Sequence, residues 1–220
     1  MCGRFTYTFT PKDVEKYYKV DINKADFKPN YNVAPTQKVP VIINENNKLV
    51  LETLQWGLIP HWSKDRKIAY KMINARSESV SEKPSFSKAF LTQRCLILAD
   101  GFFEWKKTPV KIPYYIKLKD RQIFSFAGIY DEWKSPEKEI IKTCSIITVP
   151  ANKFMQEIHD RMPCILPKDK EKIYLDNRQH TDIIKKLLKP IDSDEMTSYK
   201  VSDTVNSPRN NSIECIKVLS

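Results

Sequence analysis

Cys2 is the residue of this chain with the most chemistry open to it. It follows Met1, and a small second side chain is the setting in which an initiator methionine is normally removed. Removal leaves a residue with a free α-amine and a thiol on adjacent carbons, a pair that no internal cysteine has. With pKa values of about 7.7–8.0 and about 8.5, both groups are partly in their reactive forms near neutrality. Such an aminothiol condenses with an aldehyde to an imine, onto whose carbon the sulfur then closes a five-membered thiazolidine. Taken alone, Cys2 is more simply an accident of the start site.

Three other polar groups share one spacing with it. Cys2 is followed two residues on by Arg4, Asn74 by Arg76, Glu104 by Lys106 and His159 by Arg161. In extended backbone such pairs lie on one face, so each reactive or hydrogen-bonding group has a cation beside it. A phosphodiester substrate needs that arrangement, although a basic chain also produces it by chance. Glu104 stands between Phe103 and Trp105, where desolvation raises a carboxyl toward the range of a general acid or base; the alternative is an exposed strand glutamate. His159, between Ile158 and Met162-Pro163, is a candidate for catalysis, although a lone histidine more often serves structure, and His61 and His180 lack supporting neighbours. No set of His, Cys and Asp has metal-ligand spacing, so neither metal nor cofactor is expected. Trp56, Trp62, Tyr31 and Phe103 are candidates for stacking on unpaired bases, at about 1–3 kcal/mol per base. Aromatics like these are more often core, and Trp62, beside Ser63-Lys64-Asp65, is the one best placed for exposure.

The elements that position these groups must fit one domain of 220 residues, 41% hydrophobic. The net charge of +10, from 37 basic and 27 acidic residues, suits a polyanion such as nucleic acid. Five cysteines without a CxxC pair, four of them in apolar runs, argue for core thiols and a reducing compartment. No signal peptide or membrane-length apolar run is present, so no membrane role is expected.

Residues 2–8 read as a strand, and Thr10-Pro11 with Asp13 as a helix start. Residues 28–35 read as a loop between prolines, then 38–44 and 48–56 as strands joined by a turn at 44–47. A short helix runs from about 85 to 92. Strands follow at 94–99, 113–118, 122–130 and 142–149, a helical turn at 152–157, and helices at 168–175 and 181–188. Final strands fall near Tyr199 and over 212–218, flanking the polar loop 206–211. Many short strands and few short helices make an α+β fold on antiparallel sheet.

Seven segments taken in order, MCGRF, YNVAP, WGLIPHW, NARSE, ADGFFEW, FAGIYDEW and IHDRMP, closely resemble the SOS-response-associated peptidase (SRAP) family. The distinctive motifs span residues 2–166, and VSDTVNSPRNN resembles the family's final loop and strand. The resemblance implies one domain over 2–220, of mostly antiparallel twisted sheets with a barrel-like core and a few short peripheral helices. It implies a covalent thiazolidine crosslink between the N-terminal cysteine and the ring-opened aldehyde of an abasic site in single-stranded DNA. Carried over by motif, Cys2 is the nucleophile, Asn74 positions the sugar or Cys2, Glu104 is the acid/base, and His159 helps open the ring and shuttles protons. Arg4, Arg76 and Arg161 are expected to hold phosphates, with Trp62, Trp105 and Lys106 also on the DNA. The family name implies a cysteine peptidase that exposes Cys2 by self-processing; with only Met1 ahead of it here, a host aminopeptidase would suffice. Minor AP-lyase activity, a monomer and a bacterial cytoplasm complete the expectation.

The departures are small. Tyr130 stands where tryptophan is more usual, and Ser63 where some members carry a second aromatic. The chemistry has its own logic. An abasic deoxyribose is mostly a closed hemiacetal, so a carboxyl that gives and takes a proton is needed to release the aldehyde. A basic surround lowers the amine's pKa, and thiazolidine closure removes the imine that permits strand cleavage. Rival readings are an N-terminal-nucleophile amidohydrolase or glutamine amidotransferase, whose likeness ends at Gly3, a non-catalytic reader of single-stranded DNA, and a protease acting in trans.

Overall fold

A computed structural model describes residues 2–106 and 109–219; the expected removal of Met1 lies outside the described residues. The fold is α+β around a closed five-stranded barrel. Its strands are β4 (Lys38–Glu45), β5 (Lys48–Trp56), β7 (Arg94–Ala99), β10 (Phe124–Lys134) and β11 (Ile140–Pro150). Antiparallel pairing runs β11-β10-β7-β4-β5, and a parallel contact of β5 with β11, Gln55 opposite Thr143 and Trp56 opposite Cys144, closes the ring. Every residue of β7 is buried, as its run RCLILA requires. The β4–β5 hairpin turns on Asn46 and Asn47, both with positive φ (51° and 65°), the geometry that matches strand twist and that asparagine tolerates.

A second sheet covers one end of the barrel. It contains β1 (Phe5–Tyr7), β3 (Asn30–Val33), β8 (Gly101–Lys106), β9 (Ile112–Leu118) and β13 (Met196–Lys200), in the order β13-β9-β8-β1-β3. Phe5 joins the two layers, its ring edge-on to Trp56 at 5.0 Å and to Phe126 at 5.7 Å. Three short strands complete the sheets: β2 (Asp21–Lys24) beside β5, and β6 (Asn74–Arg76) and β12 (Arg161–Pro163) beside β11.

The helices are peripheral: α1 (Pro11–Tyr18), α2 (Ser87–Thr92), α3 (Lys153–Gln156), α4 (Glu171–Leu175) and α5 (Thr181–Leu187). Helix α1 starts as its sequence predicts, with a Thr10–Asp13 capping box and Pro11 in the first turn. Arg94, almost fully buried, donates to the carbonyls of Phe90, Leu91, Tyr174 and Asp176, so one guanidinium holds the C-terminal ends of α2 and α4.

Three expectations change. Residues 30–33 are a strand rather than part of a loop, because pairing with β1 outweighs the turn-like composition of KPNYNVAP. The stretch expected as a strand over 212–218 is instead a 3-10 turn at Ile213–Ile216, which drops Cys215 alone into the outer face of the second sheet. Ile213 and Val218 stay exposed, so no alternating apolar face exists for a strand to bury. Residues 2–8 are a strand only over Phe5–Tyr7. All five cysteines are free and buried, and no helix among the described residues is long and apolar enough to cross a membrane.

Gly101 opens β8 directly beneath the Tyr115 ring, where a Cβ would lie 2.1 Å from the phenolic oxygen. Tyr115 is buried and hydrogen-bonded to Thr6 at 2.9 Å, so moving aside breaks that bond. Gly101→Ala is expected to lower stability by about 1–3 kcal/mol, read from urea denaturation midpoints at constant m.

Candidate active site

The site gathers where the N-terminal segment enters the second sheet. The Phe103 N–H donates to the Arg4 carbonyl at 2.9 Å, which runs residues 2–4 alongside β8 and toward Glu104. From the barrel side, β6 pairs with β11 with Asn74 opposite Ile146, and the Asn74 Nδ2 donates to the Cys2 carbonyl at 2.8 Å. The Asn74 Oδ1 is buried with no hydrogen-bond partner among the described residues. Thus two elements far apart in sequence fix the position of residue 2.

Burial sets the electrostatics. Cys2 is fully buried, which lifts its thiol well above the ordinary range, and the Glu104 carboxylate adds to the rise. The sulfur is therefore held as a neutral thiol, unreactive until a base takes its proton. Burial also lifts the Glu104 carboxyl, to about 7, with Asp160 pushing the same way. A carboxyl near 7 exchanges protons in both directions at cellular pH, the property wanted of a general acid/base.

Glu104 lines an open cavity of about 440 Å³ together with Trp105, Lys111, His159 and Asn206. The His159 Nδ1 lies 3.0 Å from the Arg161 backbone N–H, which it accepts in the tautomer that bears its proton on Nε2. The Asp160 carboxylate lies 2.9 Å from the same Nδ1 and accepts from it whenever that nitrogen bears a proton, in the other neutral tautomer or in the imidazolium. These two neighbours compete for one ring nitrogen. Trp105 is fixed by its Nε1, which donates to the Asn206 Oδ1 at 2.8 Å, and the Arg4 guanidinium lies 5.9 Å from its ring centroid.

The structure thus brings Cys2, Asn74, Glu104 and Trp105 together, with His159 facing Glu104 across the cavity. The cations differ in availability. Arg76 is exposed and Lys106 half-buried at the end of β8. The Arg4 Nη1 donates to the Asn32 Oδ1 and the Val205 carbonyl, each at 2.7 Å. Arg161 forks onto Glu78 and donates to the Thr148 carbonyl at 2.7 Å, holding the Glu78 carboxyl down to about 2. Trp62 is 52% exposed, whereas Trp56 and Phe103 are core residues and unavailable for stacking; Tyr31 is half-buried.

His61 has the neighbour that its sequence context did not reveal. Buried Asp131 accepts both the His61 backbone N–H, at 2.8 Å, and its Nδ1, at 2.9 Å. Lys111 and Asn206 also escaped sequence reasoning as lining residues. Only the second left a trace, in the VSDTVNSPRNN segment. Among the described residues no group of three His, Cys, Asp or Glu could hold a metal ion.

Residues 1–208 match the family described as SOS response associated peptidase (SRAP). The chain is 48% identical over 223 residues to the abasic site processing protein YoqW of Bacillus subtilis, covering 99% of each. It is 32% identical to the abasic site processing protein HMCES of Xenopus tropicalis, covering 100% of this chain and 78% of that one. A crystal structure of a protein from Bacteroides thetaiotaomicron superposes with a TM-score of 0.88 at 31% identity, covering 95% of this chain and 97% of that one.

The buried carboxyl makes stability depend on pH. The unfolded Glu104 titrates near 4.5 and the folded one near 7, so between these values the folded state binds more protons and stability falls as pH rises. Glu104→Gln cannot ionise and escapes that loss. It is expected to be more stable than the parent at pH 8 by on the order of 1–3 kcal/mol, the gap closing toward pH 4. Urea titrations at the two pH values check this; a gap independent of pH would mean a solvated carboxylate.

Proposed function

The chain belongs to the SOS response associated peptidase family, and from that premise we propose that it captures abasic sites in single-stranded DNA by a covalent bond to Cys2. The reading rests above all on one observation: residue 2 is pinned by Asn74 while its thiol feels a carboxyl that titrates near 7.

The steps follow from the groups present. Loss of Met1, by an aminopeptidase or by self-processing, gives Cys2 a free amine. Glu104 and His159, on one cavity, assist opening of the hemiacetal to the aldehyde. The amine adds to the C1′ carbonyl and water leaves, giving an imine. The sulfur then bonds to the imine carbon as the thiol proton passes by way of Glu104 to the nitrogen, and the thiazolidine is complete. Because closure consumes the imine that drives β-elimination, strand cleavage is a side activity. A thiol kept neutral by burial spares Cys2 from indiscriminate oxidation until the aldehyde arrives.

Around this centre Asn74 positions residue 2, and exposed Arg76 and half-buried Lys106 hold phosphates. Arg161 joins them by exchanging Glu78, itself half-exposed, for a phosphate oxygen. Arg4 steadies Trp105 beneath the sugar and Trp62 stacks on a neighbouring base. The protein acts as a monomer in a bacterial cytoplasm.

The test is incubation with a single strand carrying one abasic residue, followed by denaturing gel and intact mass. The parent is expected to lack Met1 and to gain the mass of the strand less one water. Cys2→Ala should give no heat-resistant conjugate, and Glu104→Gln should form it about 10²-fold more slowly. Normal conjugate from Cys2→Ala would overturn the reading. A salt-sensitive complex that denaturation removes would make the protein a non-covalent reader.

A further inference from the structure

A second cavity, of about 830 Å³, is larger than the one at Glu104 and shares no lining residue with it. It opens on the outer face of the second sheet, where Lys16, Lys117, Lys119 and Arg121 meet the rings of Tyr17 and Tyr199. Two carboxylates also line it, but both are tied down locally. Asp100 accepts from the Thr6 Oγ1 at 2.5 Å, the Thr8 N–H at 2.6 Å and the Thr8 Oγ1 at 2.5 Å. Asp13 accepts from the N–H and hydroxyl of Thr10 as the α1 cap.

The cations are less fully committed. Lys117 and Lys119 are exposed and make no ion pair among the described residues. Arg121 gives one Nη to the Leu166 carbonyl at 2.9 Å and the other to Glu171 at 3.4 Å, yet its buried Nε has no acceptor. Tyr17 is 40% exposed, its ring 4.3 Å from the Lys168 Nζ. An excess of positive charge and an accessible aromatic ring in one cavity together describe a receptor for a phosphate joined to a flat base.

The strand geometry fixes where this receptor lies. Lys111, just ahead of β9, lines the Glu104 cavity and Lys117, on β9, the second one, six residues or about 20 Å apart in extended chain. Tyr115, between them, is packed under Val201 and Val205. At about 3.4 Å per stacked nucleotide, 20 Å is about six nucleotides.

We propose that this cavity is a second subsite, for a nucleoside phosphate, with Lys117, Lys119 and Arg121 on the phosphate and Tyr17 on the base. The ligand is either a nucleotide of the strand held at Cys2, in which case the proposal rests on the reading of function above, or a free nucleotide.

Fluorescence anisotropy with labelled oligothymidylates of 4 and 16 nucleotides, at several salt concentrations, tests the first source. A strand of 4 cannot reach both cavities; one of 16 can. Lys117→Gln/Lys119→Gln is expected to weaken the 16-mer about tenfold and to reduce its salt slope by about 1.4, two phosphates' worth, and to weaken the 4-mer, which fills one cavity at a time, by less. Lys117→Arg/Lys119→Arg should restore both. Calorimetric titration with 2′-deoxyadenosine 5′-monophosphate tests the second source: saturable binding lost in the Gln variant, with both oligonucleotides unaffected, assigns the site to a free nucleotide. The proposal is overturned if neither the 16-mer nor the mononucleotide responds, or if both strand lengths lose affinity equally. Conjugate formation on a 4-mer with one abasic residue reports on the cysteine chemistry separately and should be the same in all three proteins.

Discussion

The arrangement depends on strand β11 being bonded along both edges. Its first half pairs with β10 on one side and, through Thr143 and Cys144, accepts the end of β5 on the other, which closes the barrel. Beyond that closure the edge taken by β5 continues into β6, so Asn74 and Arg76 lie opposite Ile146 and Thr148. The last residues of the same strand pair with β12, Arg161 opposite Pro150 and Pro163 opposite Thr148. One strand thereby sets the register of both the asparagine and the histidine segments. Breaking the closure would free β6 to slide, and a slip of one residue would turn Asn74 away from Cys2.

Against this frame the second sheet delivers the remaining partners. The aromatic contact of Phe5 with Trp56 and Phe126 sets how far β1 sits from the barrel mouth, and Cys2 follows three residues earlier. Burial then does two things at once. It keeps the Cys2 thiol protonated, and it keeps Glu104 close to half-ionised near neutrality. The same water exclusion raises both groups, so solvent entry alone would lower the two together.

Much of this was legible in the sequence, for identifiable reasons. RCLILA and the two flanking runs of 38–45 and 48–56 are apolar or alternating enough to read as barrel strands, and Asn46-Asn47 reads as a turn because few residues accept its dihedrals. Glu104 between Phe103 and Trp105 correctly suggested desolvation. What stayed hidden depends on partners distant in sequence. The Asp131 carboxylate meets His61 across 70 residues, and Glu78 takes Arg161 across 83. The β3 strand exists only because β1 lies beside it, and Cys215 is buried by a turn whose neighbours are exposed. Local pattern carries no information about such pairings.

The net charge of +10 has a division of labour within it. The arginines nearest the chemistry are largely absorbed by the protein: Arg4 by Asn32 and the Val205 carbonyl, Arg161 by Glu78, and Arg94 by helix ends deeper in the fold. The uncompensated charge among the described residues sits instead on exposed side chains such as Arg76, Lys111, Lys117 and Lys119. Attraction from long, solvated side chains is long-ranged, screened by salt and indifferent to sequence or damage. On the function proposed above, selectivity for a damaged sugar therefore does not come from the charge that would recruit a strand. It comes from the buried centre, where a neutral thiol and a carboxyl near its own pKa lie together.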